Sequence, residues 1–268
     1  IYPHLIGGDI GCGMALFKTD LPRRSAERVG GWAALRFNLE HPWDEFVDGF
    51  MTEHDLECTE FDSALGTIGG GNQFAELQVV EEIHDARAFR QVGLGRQQLV
   101  VLVHSGSRGL GESILQAHVE QHFGDGVEVD SFAADAYLRD HDVAVRWAKA
   151  NRELIVVIPG SRGSLSYLVK PTGDGESHAW SLAHGAGRKW ARSEARLRMR
   201  EQFHLHQLVQ TPLGGRVVCE ERDLLYEEAP GAYKKIEEVV QDLVDAGLVS
   251  VIATLRPLLT YKTRKLRR

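Results

Sequence analysis

Residues 98–104 read Gln-Leu-Val-Val-Leu-Val-His and run into Ser105-Gly106-Ser107-Arg108-Gly109. A short apolar run rich in β-branched residues, stopped by glycines and serines, predicts a buried strand ending at His104 and then a loop. Beyond the loop, Ile114, Leu115, His118 and His122 recur at helical spacing and predict a helix over 111–123. Working outward, 133–150 reads as a helix, 154–158 as a strand stopped by Pro159-Gly160, and 166–169 as a strand. Residues 188–208 read as one long charged helix, and Pro230 opens a helix over 231–246, since proline suits a first helical turn. A last strand covers 249–255. Strands and helices mix without a regular βαβ rhythm, which predicts an α+β fold rather than a doubly wound sheet. Neither a repeat nor a low-complexity linker interrupts the chain, so a single domain over 1–268 is expected.

The 268 residues are 43% hydrophobic, 26% charged and 8% aromatic, an ordinary globular balance. No apolar run approaches the roughly 20 residues of a membrane span. The net charge of −7 excludes a polycation, so any nucleic-acid contact must use a local basic patch. Cys12, Cys58 and Cys219 are too few and too scattered for a disulfide framework, which points to a reducing, cytoplasmic setting. The chain opens Ile1-Tyr2-Pro3-His4 without a Met, and the expectation is that residues are missing ahead of it.

Glycines cluster at 7–13, 66–71, 106–111, 160–163 and 185–187, which suggests a site assembled from loops; five ordinary turns are the other reading. In Asp9-Ile-Gly-Cys12 a carboxylate and a thiol can turn toward one divalent ion, though an isolated cysteine is often just a small buried hydrophobe. His104 at a strand end is followed by Ser-Gly-Ser-Arg-Gly, and Gly-Ser-Arg-Gly recurs at 160–163; hydroxyls, backbone N–H groups and Arg108 suit an anion. His184-Gly-Ala-Gly-Arg188 leads into Arg192, Arg196 and Arg200 at spacing four, a phosphate-meeting stripe or a solvated helix face. A neutral imidazole at His184 can act as a nucleophile toward phosphorus. His118 and His122 stand at i and i+4, a possible metal spacing, but read better as a helix surface. His204 and His206 would face apart on a helix.

Six stretches taken in order resemble the RtcB family of RNA ligases. They are Asp9-Ile-Gly-Cys-Gly-Met14, Leu65-Gly-Thr-Ile-Gly-Gly-Gly-Asn72, His104-Ser-Gly-Ser-Arg-Gly-Leu-Gly111, Ile158-Pro-Gly-Ser161, Ser166-Tyr-Leu-Val169 and His184-Gly-Ala-Gly-Arg188. Pro230-Gly-Ala-Tyr-Lys234 and Lys262 also fit. The resemblance implies joining of an RNA 3′-phosphate or 2′,3′-cyclic phosphate end to a 5′-hydroxyl end, with GTP and manganese and through a guanylylated histidine. It implies that Cys12 and His104 are manganese ligands, with Asp9 a ligand or its close support. His184 is implied as the nucleophile, and Asn72 as a contact near the nucleotide phosphate or metal. Phe74, Glu76, Ser161, Ser166 and Lys262 match guanosine-pocket positions, and Arg108 and Arg188 phosphate-binding positions. RNA phosphates would meet Arg192 on the stripe and the basic tail Lys262, Arg264, Lys265, Arg267 and Arg268.

Two departures stand out. The family pattern has a metal-binding histidine after Gly-Gly-Gly-Asn, where this chain has Gln73. Its His-Asn metal motif and His-Arg-Lys-Gly-Ala segment should precede Ile-Pro-Gly-Ser, yet Asn151-Arg152-Glu153 runs directly into Leu154, so a segment near 153–154 is expected to be missing. Gln73 and the compact length resemble the branch associated with a release-factor-like partner. The alternatives to a ligase are a degenerate member that binds nucleotide or RNA without sealing, and a metal-dependent phosphoesterase.

Overall fold

The computed structural model describes residues 1–24, 47–122, 125–154, 164–173, 182–183 and 185–263. Helices and a mainly antiparallel sheet are segregated, giving the expected α+β class. The chain divides into two compact units. The first comprises Ile1–Ala15, Asn38–Gln73 and His104–Val156; the second comprises Leu16–Phe37, Phe74–Val103 and Val157–Arg268.

In the first unit lie helices α1 (Pro3–Ile6), α2 (Val47–Glu53), α4 (Gly109–His122) and α5 (Phe132–Leu154). Its core joins Ile10, Met51, Leu56, Leu65, Leu110, Ala144 and Trp147. Small residues on one side of α5, Ala144 and Ala148, let the loop at Gly11 approach the helix closely. Trp147 is fully buried and donates its indole N–H to Asp62 Oδ1 at 2.9 Å, so its one polar atom is satisfied. His118 departs from the expected helix surface. It is buried, its Nε2 meets Asp140 Oδ2 at 3.0 Å, and its ring meets the edge of Tyr137. The reason is tertiary: α5 packs over the face of α4 that carries it.

The sheet order is β1 (Gly13–Pro22), β3 (Gln98–Ser105), β2 (Phe74–Ile83), β6 (Val249–Thr263) and β4 (Ser166–Pro171), with β5 (Arg216–Cys219) parallel to β6. β3 matches the opening expectation to within one residue. The helix α3 (Ala86–Val92) is capped by the Asp85 carboxylate, which accepts from the N–H groups of Arg87 and Ala88 at 2.9 Å. One core of the second unit gathers Val80, Phe89, Val100, Ile252 and Leu255. A second gathers Met199, Leu208, Val217, Leu225 and Ala229.

Three expected boundaries move. The last strand does not stop at Leu255 but runs through Arg256-Pro257 to Thr263. Proline lacks the N–H a ladder needs, and the pairing shifts register between Leu77 and Gln78 at that point, passing from Leu259 to Pro257, so a bulge absorbs it. The helix expected over 188–208 is α6 (Arg192–Gln202) followed by a turn, α7 (Leu205–Leu208). Ahead of it, Arg188 bridges to Tyr233 and Lys189 N–H donates to Ala232 O, which commits that backbone elsewhere. Behind it, Phe203 turns extended and packs with Leu205 on the Met199 cluster. For the same reason His204 and His206 do not face apart: their rings stack 5.8 Å from each other. α8 (Arg222–Glu227) then leads to a single 3-10 turn at Pro230–Ala232, and α9 begins only at Ile236 and ends at Asp245. The expected strand over 154–158 falls on Leu154, the last residue of α5, and on residues outside those described.

Candidate functional site

Within the first unit, Cys12 and His104 come together. Cys12 Sγ lies 2.9 Å from His104 Nε2, across 92 residues of sequence. His104 is only 4% exposed, at the end of β3, where the strand fixes its direction. Gly106 makes the approach possible: a Cβ there would fall onto Asp9 Oδ1 and lie 3.3 Å from Cys12 Cα. Asp9 reaches the same place, where its charge acts on the Cys12 thiol. Burial first, and then the Asp9 charge, push that thiol up to about 12. It therefore stays protonated at neutral pH unless a cation arrives to replace the proton.

Gln73 behaves as a support for Asp9. Its Nε2 donates to both Asp9 oxygens at 3.1 Å, and its Oε1 accepts from Arg108 Nη1 at 3.2 Å. Arg108 also donates from Nε to Thr67 Oγ1 at 3.3 Å. Gly69, at φ +103°, leaves the space these side chains occupy, since a Cβ there would strike both Arg108 and Gln73. Sulfur, imidazole nitrogen and carboxylate form a donor set suited to a borderline divalent ion. Among the described residues no three of His, Cys, Asp or Glu close into a cluster with metal-holding geometry, so the pair Cys12–His104, with Asp9 beside it, is the candidate. Asn72 is half-buried in the turn before β2.

Sequence reasoning passed over what holds these loops. Asn151, fully buried on α5, accepts from Gly66 N–H at 2.8 Å and donates to Thr67 O, Ser105 Oγ and Gly106 O at 3.2–3.4 Å. Arg152 donates to Gly11 O and Ser105 O, both at 2.7 Å. These two neighbours tie the segments flanking Cys12 and His104 to one rigid helix.

Within the second unit, Phe74, Glu76, Ser166 and Lys262 come together. β2 is buried from Phe74 to Val80, and alternation puts Phe74, Glu76 and Gln78 on one face. Gln78, absent from the sequence expectations, links Glu76 to Ser166: its Nε2 donates to Glu76 Oε2 and to Ser166 Oγ, the latter at 2.7 Å. Lys262 Nζ stands 5.4 Å over the Phe74 ring. Arg188 pairs with buried Glu228 and donates from Nη1 to Glu227 O at 3.0 Å. Ser161, the loop 160–163, His184 and the tail Arg264, Lys265, Arg267 and Arg268 lie outside the described residues.

The arginine stripe is reorganised. Arg188 stands before α6, not on it. Arg196 pairs with Asp223 and Glu227 at 3.0 and 3.7 Å, and Arg200 pairs with Asp223. Arg192 is exposed at the first turn. Three of the four expected phosphate contacts, Arg188, Arg196 and Arg200, are thus already engaged by α8 and its C-cap.

The family model "tRNA-splicing ligase RtcB" matches residues 47–156 and 153–263 in two pieces. "RNA-splicing ligase RtcB2" of Escherichia coli is 40% identical over 312 aligned positions, covering 97% of this chain and 81% of that protein. "tRNA-splicing ligase RtcB" of Nanoarchaeum equitans is 26% identical, covering 87% of this chain and 66% of its own length. "RNA-splicing ligase RtcB homolog 1" of Entamoeba dispar is 24% identical, with 98% and 73% covered. The alignments exceed the 268 residues of the chain, so the relatives carry stretches without a counterpart here.

Proposed function

The chain belongs to the RtcB family, and on that premise we propose that it is an RNA ligase joining 3′-phosphate or 2′,3′-cyclic phosphate ends to 5′-hydroxyl ends at the expense of GTP. The observation that carries the reading is the 2.9 Å approach of Cys12 Sγ to His104 Nε2, a thiol and an imidazole brought together from two glycine-bordered loops. With Asp9 beside them, these residues would hold manganese. Bound there, the ion supplies polarisation of phosphoryl oxygens and neutralises charge developing on phosphorus.

The rest of the chemistry belongs to the chain. The unprotonated His184 nitrogen attacks the α-phosphorus of GTP, forming a nitrogen–phosphorus bond as pyrophosphate leaves. GMP then passes to an oxygen of the RNA 3′-phosphate, and the RNA 5′-hydroxyl displaces it to form the new phosphodiester. A cyclic phosphate is opened by hydrolysis first. Glu76, buried and anchored through Gln78, is suited to accept from the N1 and N2 hydrogens of guanine. Phe74 offers an aromatic face and Lys262 and Arg188 positive charge. Three free cysteines agree with a reducing, cytoplasmic setting, and among the described residues no helix is long and apolar enough to cross a membrane. A release-factor-like partner belongs to the same proposal and rests on Gln73.

The decisive experiment incubates the protein with α-labelled GTP and manganese. Covalent, acid-labile and base-stable label is expected, and His184→Ala abolishes it. Label that survives in His184→Ala places the nucleophile elsewhere. A second reading, nucleotide or RNA binding without sealing, is favoured by Gln73: its amide is taken up by Asp9 and Arg108 where the family pattern has a metal-binding histidine. Binding of GTP with no covalent label in the wild type would select it.

A further inference from the structure

Glu228 stands one residue past the end of α8, at its C-cap. A carboxylate there faces the negative end of a helix and is locally unfavourable. Its side chain is also only 2% exposed, and a buried carboxylate costs several kcal/mol unless charged partners compensate. Three groups from three parts of the chain compensate it. Arg188 Nη2 donates to Oε1; the Tyr233 hydroxyl donates to Oε2; Lys262 Nζ lies 3.4 Å from Oε2. None of the motifs singled out in the sequence includes Glu228.

The arrangement does more than neutralise charge. Lys262 is 4% exposed, and Glu228 sets a counter-charge 3.4 Å from its Nζ, which stands over the Phe74 ring. Arg188 is oriented twice, by Glu228 and by Glu227 O, and its guanidinium carbon lies 5.0 Å over the Tyr233 ring. Burial and then the adjacent carboxylate push the Tyr233 phenol well above its ordinary value, so it acts as a donor throughout the physiological range.

We propose that Glu228 is the positioning residue of the nucleotide cluster: one buried carboxylate holds Arg188, Lys262 and Tyr233 in fixed relation to Phe74, so that GTP meets cations already charged and oriented. The proposal rests on the reading of Phe74, Arg188 and Lys262 as nucleotide contacts. Glu228 touches neither GTP nor RNA in this scheme. Its loss should weaken GTP binding and spare the rate at saturation, because preorganisation lost in the ground state is recovered only by more ligand.

The test compares wild type, Glu228→Gln, Glu228→Asp and Tyr233→Phe, all full-length, by calorimetric GTP binding with manganese and by RNA sealing against GTP concentration. Glu228→Gln is expected to raise the Kd and KM for GTP at least tenfold, with kcat at saturating GTP within about threefold of wild type. Tyr233→Phe, which removes one neutral donor, should move Kd less than Glu228→Gln does. Folded Glu228→Gln that binds GTP within twofold of wild type overturns the proposal. So does an equal loss in kcat with KM unchanged. If Glu228→Gln does not fold, Glu228→Asp keeps the charge but shortens the reach; a three- to tenfold rise in Kd is expected, and an unchanged Kd overturns the proposal. A wild type that binds no GTP defeats the nucleotide reading itself and this proposal with it, whereas GTP binding by wild type and variant alike defeats this proposal alone.

Discussion

Asn151→Leu isolates the hydrogen bonds that hold the loops around Cys12 and His104. The substitution keeps the branching and heavy-atom count of the side chain, with somewhat bulkier methyl groups, and removes an amide that is fully buried. Gly66 N–H, at 2.8 Å, loses its acceptor, and Gly106 O and Thr67 O each lose a longer bond at 3.4 and 3.3 Å. Ser105 Oγ keeps its own bond to Ile68 O at 2.8 Å, so it adds little. A buried orphaned donor costs about 1–3 kcal/mol, and each weakened carbonyl bond about 0.5–1 kcal/mol, which sums to roughly 3 kcal/mol. At roughly 2–4 °C per kcal/mol the melting temperature should fall by about 6–12 °C. Asn151→Asp should be at least as damaging, because it retains an acceptor for Gly66 N–H but aims a carboxylate at two carbonyls. Ser105 and Gly106 directly follow His104, so Mn²⁺ affinity, read by electron paramagnetic resonance, should fall by roughly 10- to 100-fold, as supports of metal ligands do. A folded Asn151→Leu protein melting within 2 °C of wild type, and binding Mn²⁺ equally well, would refute the claim that α5 positions these loops.

Glu76→Ala should raise KM for GTP far more than for ATP, because adenine lacks the paired N1 and N2 donors; equal losses measured in the labelling assay would remove Glu76 from the recognition of guanine. Asp85 caps α3, and its two backbone hydrogen bonds hold its carboxyl below the usual carboxylate range. That stabilisation is complete above the unfolded value near 3.9 and fades as pH falls through the lower folded value, so the gap in melting temperature between wild type and Asp85→Ala should be constant from pH 7 to 5 and close in strong acid. Arg192→Ala should reduce the log–log salt slope of RNA binding by about 0.7, the size of one single-strand phosphate contact. Arg196→Ala should change it less, since Asp223 and Glu227 already engage that guanidinium; equal slopes for the two variants would show that those ion pairs open on RNA.

The parts of the fold visible in the sequence were those whose pattern is local. The run 98–104 has β-branched residues and a glycine–serine stop, and β3 ends within one residue of the expected place. β2 went unnoticed because both its faces are buried from Phe74 to Val80 and one of them carries Glu76 and Gln78, so a strand with two polar positions inside reads as surface. β6 was cut short because Pro257 reads as a stop unless the bulge at Leu258, beside it in the same strand, is known. The helix 188–208 was overextended for the opposite reason. Its spacing is helical throughout, but Arg188 and Lys189 are drawn to the 232–233 backbone and Phe203 to the Met199 core, and neither attraction is written in local periodicity.

The candidate site divides along the same line. Asp9 and Cys12 were legible as a weak ligand pair on a glycine loop and His104 as a polar strand end, the resemblance joined Cys12 to His104, and the chain brings those two to 2.9 Å. Glu76, Phe74, Ser166 and Lys262 were reachable only through resemblance, since nothing in their spacing links β2, β4 and β6. Their supports, Asn151, Arg152, Gln78 and Glu228, stayed hidden because a supporting residue is defined by its partners. Asn151-Arg152 looks like the polar end of an amphipathic helix until Gly11, Gly66 and Ser105 are seen against it. Glu228 looks like one more surface acid in Tyr226-Glu-Glu-Ala229 until two cations close on it. Gln73 lies between these cases. As a departure from a ligand pattern it suggested a weakened metal site; as a donor to both Asp9 oxygens it is a support. Where the resemblance leads one to expect a ligating imidazole, the Gln73 amide instead clamps the neighbouring carboxylate and accepts from Arg108, which keeps Asp9 ordered beside Cys12 and His104.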